Sequence, residues 1–322
     1  MRAVQIVELS GPQSALRAVD LPAPEPGADQ VLIDVHAAGV AFPEVLQTRG
    51  MYQLKPPVPF VPGSEVAGVV VSAPDSAHLR PGDRVAAMCM LGGFAEQAVA
   101  PAYLTFRLPD ELDFGQGAGL ILNYHTAWFS LVTRGRIQAG ETVLVHGAAG
   151  GVGTATLQVA KGLGARTIAV VSSDDKEKVA RDAGADEVLR SDGPWKDQAK
   201  ELGGADIVVD PVGGDRFTDS LRSLRQQGRL VVVGFTAGEI PTVKVNRLLL
   251  NNVEVVGAAW GEFAIRRPEV MAATHTEIVR LIEAGFVRPI VGARFPLHSA
   301  MDAVRLLDDR GATGKVVLDL KG

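Results

Sequence analysis

The stretch ETVLVHGAAGGVGTATLQVAKGLGA, residues 141–165, constrains this chain more than any other. Its opening, TVLVHG over 142–147, is a continuous apolar run, as expected of a parallel strand covered on both faces. Glycines follow at once, and from about Thr154 to Leu163 the pattern turns helical. A strand passing through glycines straight into a helix lets backbone N–H groups approach an anion, and the helix N-terminus adds a favourable dipole. The strict G-x-G-x-x-G spacing is not met, since Ala148 stands first, ahead of Gly150 and Gly153. A second apolar strand, TIAVVS over 167–172, nevertheless falls where a βαβ dinucleotide-binding unit requires it. A tight turn alone would explain the glycines but neither flanking element. Ala149, Gly150, Gly151, Val152 and Gly153 therefore read as the cradle of a dinucleotide pyrophosphate.

The tip of that second strand sets the type of dinucleotide, because an acidic residue there would bind the ribose 2′-hydroxyl of NAD. Here the strand ends Val170-Val171-Ser172-Ser173, without a carboxylate. Ser172 and Ser173, with Lys176 and with Arg190 after the next strand, suit a 2′-phosphate, which favours NADPH over NADH. The opposing reading has the two serines capping the following helix while Asp174 or Asp175 reaches the ribose.

Around this unit the chain changes character twice. The first 110 residues read as short strands between Gly and Pro: AVQIVEL, VLIDVHAAGV, VAGVVVSA, DRVAAM and FAEQAVA, the spacing of a small β-rich domain. From about residue 122 strands alternate with helices, adding DIVVD (206–210), RLVVVG (229–234), VEVVGAA (253–259) and a helix from about Lys176 to Ala183. That is a doubly wound α/β unit with a parallel sheet. The last 60 residues hold helical patterns at Glu269 to Glu283 and Ser299 to Leu307, then a closing strand, KVVLDL. Ser299 and Asp302 resemble a capping box, with Ala300, Ala303, Val304 and Leu307 as the buried face. The closing strand is expected to return to the first domain. The organisation is then a β-rich domain, 1–121 and 263–322, interrupted by an α/β domain, 122–262, with a cleft between the lobes.

Composition narrows the chemistry. Cys89 is the single cysteine in 322 residues, so neither an intrachain disulfide nor a cysteine-based metal cluster can form. A formal charge of −5 and the lack of any long basic run argue against a nucleic-acid partner. Residues 114–133 carry no Asp, Glu, Lys or Arg, yet their Gly, Asn, His, Thr and Ser make them buried loop and helix, not a membrane span. No secretory leader is evident at the N-terminus, so a cytoplasmic location is expected.

Several separate stretches, in order, resemble the medium-chain dehydrogenase/reductase superfamily and, within it, the zinc-free quinone oxidoreductase group. They are GVAFPEVLQTRGMYQ (39–53), PFVPGSEVAGVV (59–70), PGDRV (81–85), HGAAGGVG (146–153), DPVGG (210–214), GRLVVVGF (228–235) and GATGKVVL (311–318). The resemblance implies a GroES-like domain interrupted by a Rossmann domain, and a homodimer formed through the Rossmann edge strand near Val253 to Ala258. Zinc-dependent relatives place a Cys at Ala41 and a His at Ser64, beside Glu65, so no metal is expected. By resemblance the substrate pocket takes Ala41, Phe42, Leu46, Tyr52, Tyr124 and Trp260, with Tyr52 as the candidate catalytic residue. Thr126, Phe235 and Lys315 join the cofactor contacts. Many quinone reductases of this type carry Asn at Ala41 and Tyr at Leu46, which leaves this site more apolar. Where such proteins often have a Tyr near the adenosine phosphate this chain has Ser191, so more of that task falls to Lys176 and Arg190.

Chemistry without zinc selects among acceptors. Reducing a simple ketone builds charge on an alkoxide and needs a Lewis acid or proton donor. A reduced quinone is phenol-like, ionising near pKa ~10, and needs far less help; an enone lies between, because its enolate gains from an acid or an oxyanion donor. NADPH-dependent reduction of quinones or related electrophilic carbonyl compounds by hydride transfer is the expected activity. An enoyl-thioester or enone reductase is the second, and an NADPH-binding crystallin-like or RNA-associated protein is the non-enzymatic one.

Overall fold

The computed structural model describes Met1–Lys321, and the chain in it divides into two compact units. The first comprises Met1–Leu122, Pro268–His275 and the residues from Pro289 onward. It opens with an antiparallel hairpin, β1 (Arg2–Ile6) and β2 (Leu16–Asp20). A larger sheet follows from β3 (Gln30–Val40), β4 (Glu65–Ser72), β5 (Arg84–Met88), β6 (Gln97–Pro101) and β7 (Thr105–Arg107). Every second residue along most of β3 is buried, the mark of an antiparallel strand with one face on a core. Val31, Ile33 and Val35 join Val66 and Val85 in that core.

The second unit comprises Asn123–Arg267 and Thr276–Arg288. Its six strands are β8 (Thr142–His146), β9 (Arg166–Val171), β10 (Glu187–Arg190), β11 (Ala205–Asp210), β12 (Leu224–Val232) and β13 (Glu254–Gly257). All pair in parallel, in the order β10-β9-β8-β11-β12-β13. The chain steps outward from β8 first to one side and then to the other, so the point where the order reverses lies between β8 and β11. All five residues of β8 are buried, as its unbroken apolar run requires. Leu144, Ile168, Val208 and Leu230 pack together from four neighbouring strands.

Two further strands, β14 (Val291–Pro296) and β15 (Lys315–Asp319), return to the first unit. β15 runs antiparallel to β3, with Val316 opposite Val40, and β14 pairs with β15 in parallel. The α/β unit is thus inserted into a β-rich one, as the sequence pattern implies.

Some details differ from the sequence reading. Residues 263–267 and Thr276–Arg288 group with the α/β unit, whereas the sequence pattern places 263–322 as a block in the β-rich domain. The Gln158 side chain ties that segment in, donating to the Arg288 carbonyl at 2.9 Å and accepting its N–H at 3.0 Å. Ser299 precedes the Ala300–Asp308 helix but makes no side-chain cap, so the capping box is absent. Ala300, Ala303 and Val304 are buried as expected, with Leu307 half-buried against the same core.

Candidate dinucleotide site and its surroundings

The turn after β8 leads into the Gly151–Gly162 helix, with Gly150 at the cap position in extended conformation. No side chain caps this helix. Thr154 N–H is bonded back to the Gly150 carbonyl at 2.9 Å, while the amides of the first turn have no partner within a helix and stay available to an anion. Gly153 is required by packing: a Cβ there would stand 2.2 Å from the Gly147 carbonyl oxygen. A dinucleotide pyrophosphate fits this turn, which supplies backbone donors, a helix dipole and little side-chain bulk.

Beside it, the ends of β9 and β10 gather the polar groups expected to distinguish cofactors. Lys176 Nζ donates to Ser172 Oγ at 3.2 Å, and Arg190 Nη2 donates to the Ser172 carbonyl at 3.1 Å. Ser173 accepts from the Lys176 N–H at 3.4 Å and caps the Asp174–Asp182 helix, so it serves the backbone. Asp174 is paired with Arg190, whose Nε also lies 3.5 Å from Asp192. An exposed hydroxyl and two cations therefore converge at one strand tip.

Farther along the carboxyl edge of the sheet, Phe235 is half-buried beyond β12. Trp260 opens the Trp260–Arg266 helix after β13 and is 3% exposed. Its indole Nε1 has no hydrogen-bond partner among the described residues. The His125 ring meets the indole edge-on at 5.5 Å. Thr126 is buried at the end of the Ile121–Trp128 helix, which continues as a π-helix over Phe129–Arg134. Tyr124, expected to line the pocket, is instead a core residue. Its ring is 2% exposed and its hydroxyl donates to Gln158 Oε1 at 2.6 Å, with burial pushing its pKa up. His146, which ends β8, is also internal, its Nε2 lying 2.8 Å from Ser220 Oγ and burial holding its pKa down.

In the β-rich unit, Ala41 precedes the Phe42–Gln47 helix, and Phe42, Leu46 and Tyr52 are half-buried. Lys315, expected at the cofactor, sits in a buried ion pair. It is 3% exposed and ion-paired with Glu65, whose other oxygen accepts the Leu122 N–H at 2.9 Å. Gly39 makes room for the pair: a Cβ there would stand 2.6 Å from Lys315 Cε and 2.8 Å from Glu65 Cγ. Close in sequence, buried Glu44 accepts from the Ser64 hydroxyl at 2.6 Å and from the Ala41 N–H at 2.8 Å, while burial raises its pKa. Sequence reasoning missed this cluster, since its members lie up to 250 positions apart.

Comparison with known proteins agrees with both halves of the architecture. Residues 27–110 match the family described as alcohol dehydrogenase GroES-like domain, and residues 151–276 match zinc-binding dehydrogenase. The quinone oxidoreductase-like protein 2 of Rattus norvegicus is 40% identical over 306 residues, covering 93% of this chain and 87% of that protein. The chain belongs to the quinone oxidoreductase group of the medium-chain dehydrogenase/reductase superfamily. It is an oxidoreductase. Among solved structures, a probable oxidoreductase from Mycobacterium abscessus is 43% identical, with a TM-score of 0.90 and 99% of both chains covered. A mycobacterial protein solved in complex with NADPH is 36% identical at a TM-score of 0.91, covering 99% of this chain and all of the other.

The superfamily includes zinc enzymes, so the metal has to be tested against the donors present. Ala41 offers no ligand atom, the Ser64 hydroxyl is committed to Glu44, and Glu65 is neutralised by the Lys315 ammonium. The Cys89 thiol is buried and donates to the Gly63 carbonyl at 3.3 Å, with burial pushing its pKa up. Among the described residues no three His, Cys, Asp or Glu side chains gather to hold a metal ion. This donor set does not fit a catalytic zinc. No helix among the described residues is long and apolar enough to cross a membrane.

Proposed function

We propose that this oxidoreductase uses NADPH, without a metal, to reduce quinones or related electrophilic carbonyl compounds. The observation that carries the choice of cofactor is the convergence of Ser172, Lys176 and Arg190 at the tip of β9, two cations and a hydroxyl suited to a 2′-phosphate. The related mycobacterial structure with NADPH supports it. When bound, the cofactor supplies hydride from its nicotinamide ring. The protein's part is to hold the pyrophosphate on the uncapped turn at Ala149–Gly153, to hold the 2′-phosphate by charge-assisted hydrogen bonds, and to keep water from the reacting atoms. Donors around Ala41 and Ser64 that cannot ligate zinc favour acceptors able to stabilise their own charge, and quinones do so best. The name of the rat relative points the same way.

For the acceptor we assign Phe42, Leu46 and Tyr52 of the β-rich unit as apolar contacts, with Tyr52 as proton donor when the acceptor is an enone. For assembly we assign β13, the outermost strand of the parallel sheet, to a homodimer. Exposed Val245, Leu249 and Leu250 just ahead of it in the chain support that assignment. The activity test follows NADPH absorbance against quinones, enones, enoyl thioesters and aldehydes. Quinones are expected to be reduced fastest; tight NADPH binding with no acceptor reduced would refute the reading. Tyr52→Phe is expected to slow enone reduction more than quinone reduction, and equal losses would mean that Tyr52 only packs.

A further inference from the structure

Trp260 presents a problem that packing does not solve. A buried N–H is nearly always paired, and one left unpaired in a native fold calls for a ligand or water. The indole is 3% exposed and its Nε1 finds no partner among the described residues. Its orientation is set by neighbours rather than left free. The His125 ring meets it edge-on at 5.5 Å, and one turn further along both helical segments Phe129 stacks on Phe263 at 4.5 Å. The segment that supplies His125 and Phe129 turns into a π-helix at Phe129, an irregularity found often at functional sites.

The place of Trp260 in the sheet narrows what the N–H can meet. It stands after the carboxyl end of β13, on the edge where open α/β sheets bind their ligands. β13 is the third strand out from β8, about 14 Å away at strand spacing, too far for contact with a pyrophosphate on the turn after β8. A neutral donor held in a dry site serves an oxygen on which charge develops. Resting on the function proposed above, we infer that the Trp260 indole N–H donates a hydrogen bond to the carbonyl oxygen of the electron acceptor. Trp260 is then a catalytic residue for the reduced oxygen, and its bond strengthens as charge builds there.

Trp260→Phe keeps most of the ring and removes the N–H. The expected result is a fall of about tenfold in kcat/KM for duroquinone, the scale of one lost hydrogen bond, with a larger fall for an enone, whose enolate is more basic. NADPH affinity, measured by titration in the absence of acceptor, should stay the same. A second readout needs no turnover. The chain has three tryptophans, Trp128, Trp195 and Trp260, so the indole N–H resonance of Trp260 can be assigned as the one missing from the variant. With NADP⁺ bound, adding duroquinone should move that resonance downfield and leave Trp195 in place. An unmoved Trp260 resonance, undiminished turnover in the variant, or a loss confined to NADPH affinity would overturn the assignment. Wild-type protein that turns over no acceptor would instead refute the proposed function, so the two failures are distinguishable.

Discussion

Two buried polar regions of this molecule behave in opposite ways. In the β-rich unit, Glu65 and Lys315 neutralise each other, and Glu44 accepts from Ser64 and Ala41. In the α/β unit, the Gly151–Gly162 helix has no side-chain cap and the Trp260 N–H has no partner among the described residues. Unpaired buried polar groups cost free energy, so a fold keeps them where something else will pair with them. The closed cluster reads as structure, and the open groups read as a binding site. This contrast is more informative than residue type, because by type Lys315 is the better ligand for a phosphate and Trp260 the better core residue.

The contrast can be broken at its strongest point by Lys315→Met. If the ammonium only compensates Glu65, its loss leaves a buried carboxylate uncovered and costs about 3–5 kcal/mol of stability. Thermal or denaturant unfolding should show that loss, while the affinity of the remaining folded protein for NADPH stays the same. A variant of unchanged stability but weakened NADPH binding would return Lys315 to the cofactor site.

Next in size are Lys176→Ala and Arg190→Ala. On the proposed function each would remove a charge-assisted bond to the 2′-phosphate, so the KM for NADPH should rise roughly tenfold in each, with the KM for NADH nearly unmoved. Parallel losses for both cofactors would show that these side chains only brace the strand tip. Asp174, paired with Arg190, would on this reading compete with the phosphate for the same guanidinium, and its removal is expected to tighten NADPH binding slightly.

The smallest effect belongs to Glu44→Gln. Burial raises the Glu44 pKa above its ordinary 4.5. In the window above 4.5 and below the raised value, the folded protein binds more protons at this site than the unfolded chain. Stability contributed by this group is therefore complete below 4.5 and falls as pH rises through the window. Glutamine does not titrate, so the difference in stability between wild type and variant should change with pH in that sense. A flat difference would mean that Glu44 keeps an ordinary pKa.

Much of the fold was legible in the chain because its signals are local. The glycine turn, the continuous apolar strands around it and the closing strand at 315–319 all depend on adjacent residues. β2, β7 and β10 carry little periodic signal; β14 alternates half-buried Val291, Ala293 and Phe295 with exposed Gly292, Arg294 and Pro296, but its Gly and closing Pro make so short a run read as loop. The Met271–Glu283 helix was visible as a helix, yet periodicity cannot say which sheet a helix covers, and its later part joined the α/β unit. Site residues divide in the same way. Gly150, Gly153, Ser172, Lys176 and Arg190 fall together because β8, β9 and β10 are neighbours. The buried partners of Tyr124 and Lys315 were not legible, because Gln158 and Glu65, which hold their polar ends, lie far along the chain.

The central claim is that the uncapped turn after β8 and the polar tip of β9 form an NADPH site. Calorimetric titration of the wild-type protein and of the Lys176→Ala, Arg190→Ala double variant, each with NADPH and with NADH, tests it most directly. The account predicts that wild type binds NADPH well above NADH in affinity and that the double variant loses this preference. Equal affinity for the two cofactors in wild type, or a preference that survives in the double variant, would contradict it.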